Sequence, residues 1–234
     1  MTAPAQGFGI DILADLRRYL ASRPVTNILD VGANEGQSLI QFRGAFPDAH
    51  IHSFEPSPDA FEILKKTAAT LPSIYLYGYG FADRPGVRDL HMSSHSCLNS
   101  ILPSGKEYAW PAAPLNGRIS ARFETLDWFL SEAGIETVDI LKIDVQGAEM
   151  LVLEGGKRAL SRGVARSVKL EICFLSLYQS QATLDQVYKW LSGYGYLFTG
   201  LYDQFYEEHG RLCWCDALFI HPNEFSGERS PQFP

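Results

Sequence analysis

Sulfur is scarce in this chain, with four cysteines and three methionines in 234 residues. Cys97, Cys173, Cys213 and Cys215 include no Cys-x-x-Cys pair, so neither a zinc ribbon nor a redox dithiol is expected, and all four read as free, mostly buried thiols. Long hydrophobic runs are missing too. The longest, such as Ala217-Leu218-Phe219-Ile220, fall far short of the roughly 20 apolar residues that a membrane-spanning helix needs. Basic charge is in deficit, with 20 Lys and Arg against 27 Asp and Glu and a net charge of −7. That balance argues against a grip on nucleic acid and against a membrane-surface role, which both need cations facing phosphates. The first twenty residues mix Ile10, Leu13, Leu16 and Leu20 with Asp11, Asp15, Arg17 and Arg18. This amphipathic pattern lacks the apolar centre of a secretory signal, so a cytoplasmic protein is expected.

What is present, 46% hydrophobic and 20% charged residues, suits one domain with a large core. Val25–Val31 is β-branched and apolar, follows Pro24 and runs into a Gly-rich turn, which predicts a buried parallel strand followed by a helix over 37–46. The alternation continues with strands at 51–55, 74–77, 138–144 and 168–174. Helical spacing follows Pro56-Ser57-Pro58, and a short helix around Met150–Leu153 closes at Gly155-Gly156. Leu184, Val187, Tyr188 and Leu191 predict a last helix, and Tyr196–Phe198 with Cys213–Ile220 a hairpin turning at Glu207–Gly210. Together these imply a doubly wound α/β sheet with an antiparallel C-terminal hairpin. Residues 91–118, rich in Ser, Pro and Gly, break the rhythm and read as an irregular excursion.

Three segments carry the candidate chemistry. Asp30-Val31-Gly32-Ala33-Asn34-Glu35-Gly36 passes from a strand end through glycines into a helix, where such sheets place their ligand crevice. It is not the dinucleotide fingerprint, because Asn34 stands at the second glycine position and Gly36 comes one residue early. Glu55, at the end of the second strand, is placed to accept hydrogen bonds from ribose hydroxyls. Acidic neighbours suit a cationic ligand such as S-adenosylmethionine better than a pyrophosphate. Lys142 and Asp144 lie in an apolar strand, share one face at period two and are expected to pair. A ligand-free tight turn, a solvated Glu55 and a purely structural Lys142–Asp144 pair are the plain alternatives.

Read together, Asp30-Val31-Gly32-Ala33-Asn34-x-Gly36, Phe54-Glu55-Pro56, Thr125-Leu126-Asp127, Leu141-Lys142-Ile143-Asp144-Val145-x-Gly147-Ala148-Glu149 and Leu153-x-Gly155-Gly156 resemble the FkbM family of S-adenosylmethionine-dependent methyltransferases. The resemblance spans about residues 25–221. It implies the Rossmann-like, seven-stranded class I methyltransferase sheet and O-methylation of a small hydroxylated acceptor such as a sugar or secondary metabolite. The domain plan is then a helical extension at 1–24, a methyltransferase domain at 25–221 with a cover at 91–118, and a flexible tail at 222–234. Gln146 departs from the family, which usually has Glu there.

The expected cofactor set is Asp30, Gly32, Asn34, Gly36, Glu55, Pro56, Asp83 and Asp144. For the proton leaving the acceptor, Glu171 in the apolar fifth strand ranks first and His95 in the cover second, with Asp144 and its partner Lys142 as positioning groups. No metal spacing is visible, and a homodimer is compatible with the chain. The rival functions are an NAD-dependent oxidoreductase and a non-catalytic domain binding an adenosyl ligand.

Overall fold

The computed structural model describes residues 7–106 and 115–225. Its main sheet has seven strands in the order β3 (Ile74–Tyr77), β2 (His50–Phe54), β1 (Asn27–Val31), β7 (Ile140–Ile143), β8 (Ser167–Cys173), β10 (Leu212–Ile220) and β9 (Leu197–Tyr206). The first five are parallel, and β10 runs antiparallel to both β8 and β9. The expected doubly wound sheet with its C-terminal hairpin is therefore present. Strand β9 is longer than its apolar start suggested, because an edge strand leaves Asp203 to Tyr206 in water and so loses the hydrophobic signal.

Helices α1 (Ile12–Tyr19) and α2 (Gln37–Ala45) lie on one face, where Leu16, Leu39 and Phe42 pack with Ile28, Ile51, Ile140 and Leu218. Helix α3 (Pro58–Ala68) follows β2. The other face carries α4 (Leu126–Ala133), α5 (Glu149–Gly155), α6 (Lys157–Ser161) and α7 (Leu184–Gly193) over Leu29, Val31, Ile143, Leu170 and Phe219. The helix of the expected N-terminal extension is thus a layer of the core itself. Its N-cap Asp11 accepts from the amides of Leu13 and Ala14, and buried Asp15 accepts from the Tyr202 hydroxyl at 2.9 Å.

Alternation of side chains decides where chemistry can sit. On the α1–α2 face the strands are apolar at one end, with Ile28, Ile140 and Leu218. Two residues on from Ile28 and from Ile140 stand Asp30 and Lys142, and Lys169, Glu171 and Asp216 follow on the neighbouring strands. The charged end is the carboxyl end of the parallel strands, where open α/β sheets bind ligands.

Two expectations need correction. The excursion at 91–118 is bounded by strands, not irregular throughout. β5 (Gly86–Ser93) pairs antiparallel with β6 (Leu115–Glu124), and β4 (Gly80–Phe81) pairs with β6 to complete a three-stranded second sheet. Its strands do alternate, with Leu90 and Met92 of β5 packed on Ile119, Ala121 and Phe123 of β6 in a small apolar cluster, and the ion pairs Arg88–Asp83 and Arg118–Asp89 add to it. Residues 107–114 of the expected cover lie outside the described residues. The tail, expected to be flexible from residue 222, first forms a 3₁₀ turn at Pro222–Phe225, held by Glu224 on buried Arg166 at 2.6 Å. Among the described residues no helix is long and apolar enough to cross a membrane.

Candidate active site

At the end of β1 the charged residues interlock. The Lys142 ammonium, 3% exposed, lies 3.1 Å from Asp30 and 3.6 Å from Asp144, and donates to the Gly32 carbonyl at 2.6 Å. Burial alone would favour loss of its proton, but Asp30 and Asp144 hold its pKa above the ordinary lysine range. The principal partner of Lys142 is therefore Asp30, not Asp144 as its position two residues away suggested. Asp30 is fully buried, and its two oxygens share the single Ser38 hydroxyl hydrogen, at 2.8 and 2.9 Å.

Gly32 turns the chain at φ +75°, and a Cβ there would come 1.8 Å from the Asp144 carbonyl oxygen. Only glycine lets the ends of β1 and β7 meet this closely. Past the turn, Asn34 adopts φ 47° and its amide donates to Glu55 at 2.9 Å, while the Ser57 amide donates to the other carboxylate oxygen at 2.8 Å. Glu55 is 7% exposed, and burial pushes its carboxyl up to about 7 despite these bonds and the Lys142 charge.

A cavity of about 540 Å³ opens above these residues. Near Glu55 its walls include Pro56, Gly80, Phe81 and Phe123, an apolar slot beside a hydrogen-bond acceptor. The buried Asn34 Oδ1 at its edge has no partner. An adenosine moiety fits this arrangement: a flat apolar base for the slot, ribose hydroxyls for Glu55 and a donor for Asn34.

Farther along, the same cavity is lined by Asp144, Gln146, Lys169 and Glu171. Gln146, at φ 56°, donates from Nε2 to Asp144 at 3.0 Å and to Glu171 at 2.8 Å, and its Oε1 accepts from the Tyr178 hydroxyl at 2.8 Å. Burial, then Asp144, Glu149 and Asp216, raises the Glu171 carboxyl well above its ordinary range, against the pull of Lys169. Lys169 itself pairs with Asp216 at 2.6 Å. The roof is the segment after β5. His95 precedes a short 3₁₀ turn, Ser96–Leu98, and Ser96 Oγ donates to Glu35 at 3.0 Å while Ser100 Oγ donates to the Gln146 carbonyl at 2.7 Å.

Of the expected site residues, Gly32, Asn34, Glu55, Pro56, His95, Lys142, Asp144 and Glu171 line the one cavity. Three do not. Asp30 lies beneath it as the counterion of Lys142, and Gly36 forms the N-cap of α2. Asp83 is drawn to Arg88 of β5, 2.6 Å away, which lowers its pKa, and its carboxylate does not face the cavity. Gln146 and Tyr178 were missed. The first was set aside for its identity alone, and the second lies in a loop with no motif around it.

Residues 30–198 match the methyltransferase FkbM domain. The chain belongs to the FkbM methyltransferase family. It is 32% identical over 178 residues to the 2-O-methyltransferase NoeI of Sinorhizobium fredii, covering 72% of each chain. With the 31-O-demethyl-FK506 methyltransferase FkbM of Streptomyces tacrolimicus it shares 27% over 163 residues, 60% of this chain and 63% of that one. Among solved structures it resembles the precorrin-6y C5,15-methyltransferase of Geobacter metallireducens, at a TM-score of 0.47 and 12% identity over 89% of this chain and 87% of that one. This FkbM-family protein is an S-adenosylmethionine-dependent methyltransferase, and the oxidoreductase and non-catalytic alternatives are not favoured.

Proposed function

We propose that the protein methylates a hydroxyl oxygen of a small hydroxylated acceptor, of the sugar or secondary-metabolite class, in the cytoplasm. One observation carries this reading: a single cavity joins an adenosine-shaped end at Glu55 and Phe81 to a carboxylate end at Asp144 and Glu171. Both relatives named above carry an O-methylation in their names. The net charge of −7 speaks against nucleic acid as the acceptor, and four free thiols accord with a reducing compartment.

When bound, S-adenosylmethionine supplies a methyl group on a sulfonium, which leaves with its bonding electron pair remaining on sulfur. The chain's part is to bind, align and take up a proton. Glu55 and Asn34 would hold the ribose, Lys142 fixes the Gly32 turn, and Asp144 would supply negative charge suited to a sulfonium. Glu171 accepts the hydroxyl proton as the oxygen–methyl bond forms, because a carboxyl that burial raises above its ordinary range is a better base than an ordinary one. His95 is the competing base, since it lines the same cavity from the roof.

The test is to incubate the protein with methyl-labelled donor and a panel of glycosides and polyketide-like alcohols. Label recovered as a base-stable methyl ether is expected; label on nitrogen or carbon would refute the oxygen assignment. With the acceptor in hand, Glu171→Gln should lower kcat at least about tenfold while S-adenosylhomocysteine affinity stays within about threefold. A wild-type kcat in Glu171→Gln beside a slow His95→Ala would transfer the role to His95.

A further inference from the structure

Asp144, at the end of β7, and Glu171, on neighbouring β8, are two carboxylates facing one cavity, and such a pair repels unless something lies between them. What lies between is the Gln146 amide, whose two N–H groups are divided between them at 3.0 and 2.8 Å. Glutamine offers two donors on one nitrogen, so one residue satisfies both anions. The amide is itself held. Tyr178 donates to its oxygen at 2.8 Å, and the same hydroxyl lies 3.1 Å from the Leu98 carbonyl in the roof. The backbone carbonyl of Gln146 accepts from Ser100, again in the roof, at 2.7 Å. A left-handed backbone at φ 56°, which a side chain rarely adopts, sets the amide in this place.

We propose that Gln146 is a positioning residue for methyl transfer: its amide holds Asp144 and Glu171 side by side as anions and, through Tyr178, ties them to the roof of the cavity. The proposal rests on Glu171 being the base. The groups that bear on Glu171 are Asp144 just past β7, with Lys142 of β7 paired to it, Glu149 from α5, Lys169 and Cys173 from β8, Asp216 from β10 and Cys97 from the roof. Acidic groups outnumber basic ones there. The amide hydrogen on Glu171 favours its ionised form, against burial and the surrounding acids, which favour the protonated one.

The experiment is the pH profile of kcat for wild type, Gln146→Glu, Gln146→Ala and Tyr178→Phe, with S-adenosylhomocysteine affinity measured in parallel. Gln146→Glu replaces a double donor by a third carboxyl. The pH at half-maximal kcat is expected to rise by about one unit, with a smaller rise in Gln146→Ala and affinity within about threefold. Tyr178→Phe leaves the carboxylates untouched and should move the midpoint the same way by less, which keeps the test open if a Gln146 variant does not fold. A midpoint that stays put or falls, even with a lower kcat, shows that Gln146 serves the fold alone and overturns the proposal. Glu171→Gln separates the two readings: if it loses the acidic limb of the profile, the base assignment stands whatever the Gln146 variants do, and if it keeps that limb, the base assignment fails.

Discussion

Glu55 and Glu149 are buried and Glu171 stands half-buried in the cavity wall, and the protein treats each differently. Glu149 is 2% exposed, and its Oε1 accepts from the amides of Val145 and Gly147 at 3.2 and 3.1 Å, which closes the turn between β7 and α5. Burial nonetheless lifts its carboxyl from the ordinary 4.5 to about 7. Between those values the folded protein keeps a proton that the unfolded chain has released. The stability this group contributes is therefore complete below pH 4.5 and is lost as the pH rises through about 7. Glu149→Gln preserves the accepting oxygen and removes the titration. The fall in melting temperature between pH 5 and pH 8 should be smaller in the variant than in wild type, and an equal fall would show that Glu149 does not titrate in this range. Lys142 and Glu55 were legible in the sequence, because an ion inside or ending an apolar strand needs a reason. Asp83 was misread for the opposite cause. Its fate depends on Arg88, and only the pairing of β5 with β6 fixes where that side chain lies.

At the scale of elements, the Thr125-Leu126-Asp127 motif proves to be a joint. The Thr125 hydroxyl accepts from the Trp128 amide at 3.2 Å and caps α4. One residue into that helix, Asp127 accepts from the amides of Arg158 at 3.0 Å and Ala159 at 2.8 Å, capping the neighbouring α6. Asp127→Ala should cost about 1–2 kcal/mol in chemical denaturation and leave S-adenosylhomocysteine affinity unchanged. A loss of affinity without loss of stability would place Asp127 in the site instead. Gly155 and Gly156 act in the same joint. They end α5 as the sequence suggested, but space is what requires them: a Cβ on Gly155 would lie 2.1 Å from the Ala82 carbonyl oxygen, and one on Gly156 2.6 Å from Leu126. The strands of the main sheet and helices α2, α3, α5 and α7 were readable from period and punctuation, while α4 and α6 were not expected. The second sheet was not, although Leu90, Met92, Ile119, Ala121 and Phe123 alternate along it, because the Ser, Pro and Gly between its two long strands read as loop.

Across the whole molecule, Arg166 joins segments far apart in the chain. It is 2% exposed and donates to Asp139 at 2.8 Å, to the Leu20 carbonyl at 3.0 Å and to Glu224 at 2.6 Å. A buried cation that loses a partner is costly, on the order of 3 kcal/mol. Truncation after His221 should therefore lower stability by about that amount while sparing the cavity, and an unchanged denaturation midpoint would return 222–225 to the status of a loose tail. The strands of the main sheet and its terminal hairpin were read from alternating elements, whereas their order and the contact between Arg166 and the C-terminal turn depend on tertiary placement that local pattern does not encode. Cofactor recognition rests on the adenosine end of the cavity, at Glu55, Asn34 and Phe81. Its most direct measurement is a calorimetric titration of wild type and Glu55→Ala with S-adenosylhomocysteine, with NAD as the control ligand. Saturable binding of S-adenosylhomocysteine, weakened by roughly 1.5–3 kcal/mol in Glu55→Ala, and no binding of NAD are expected. Equal affinity in both proteins, or a preference for NAD, would contradict it.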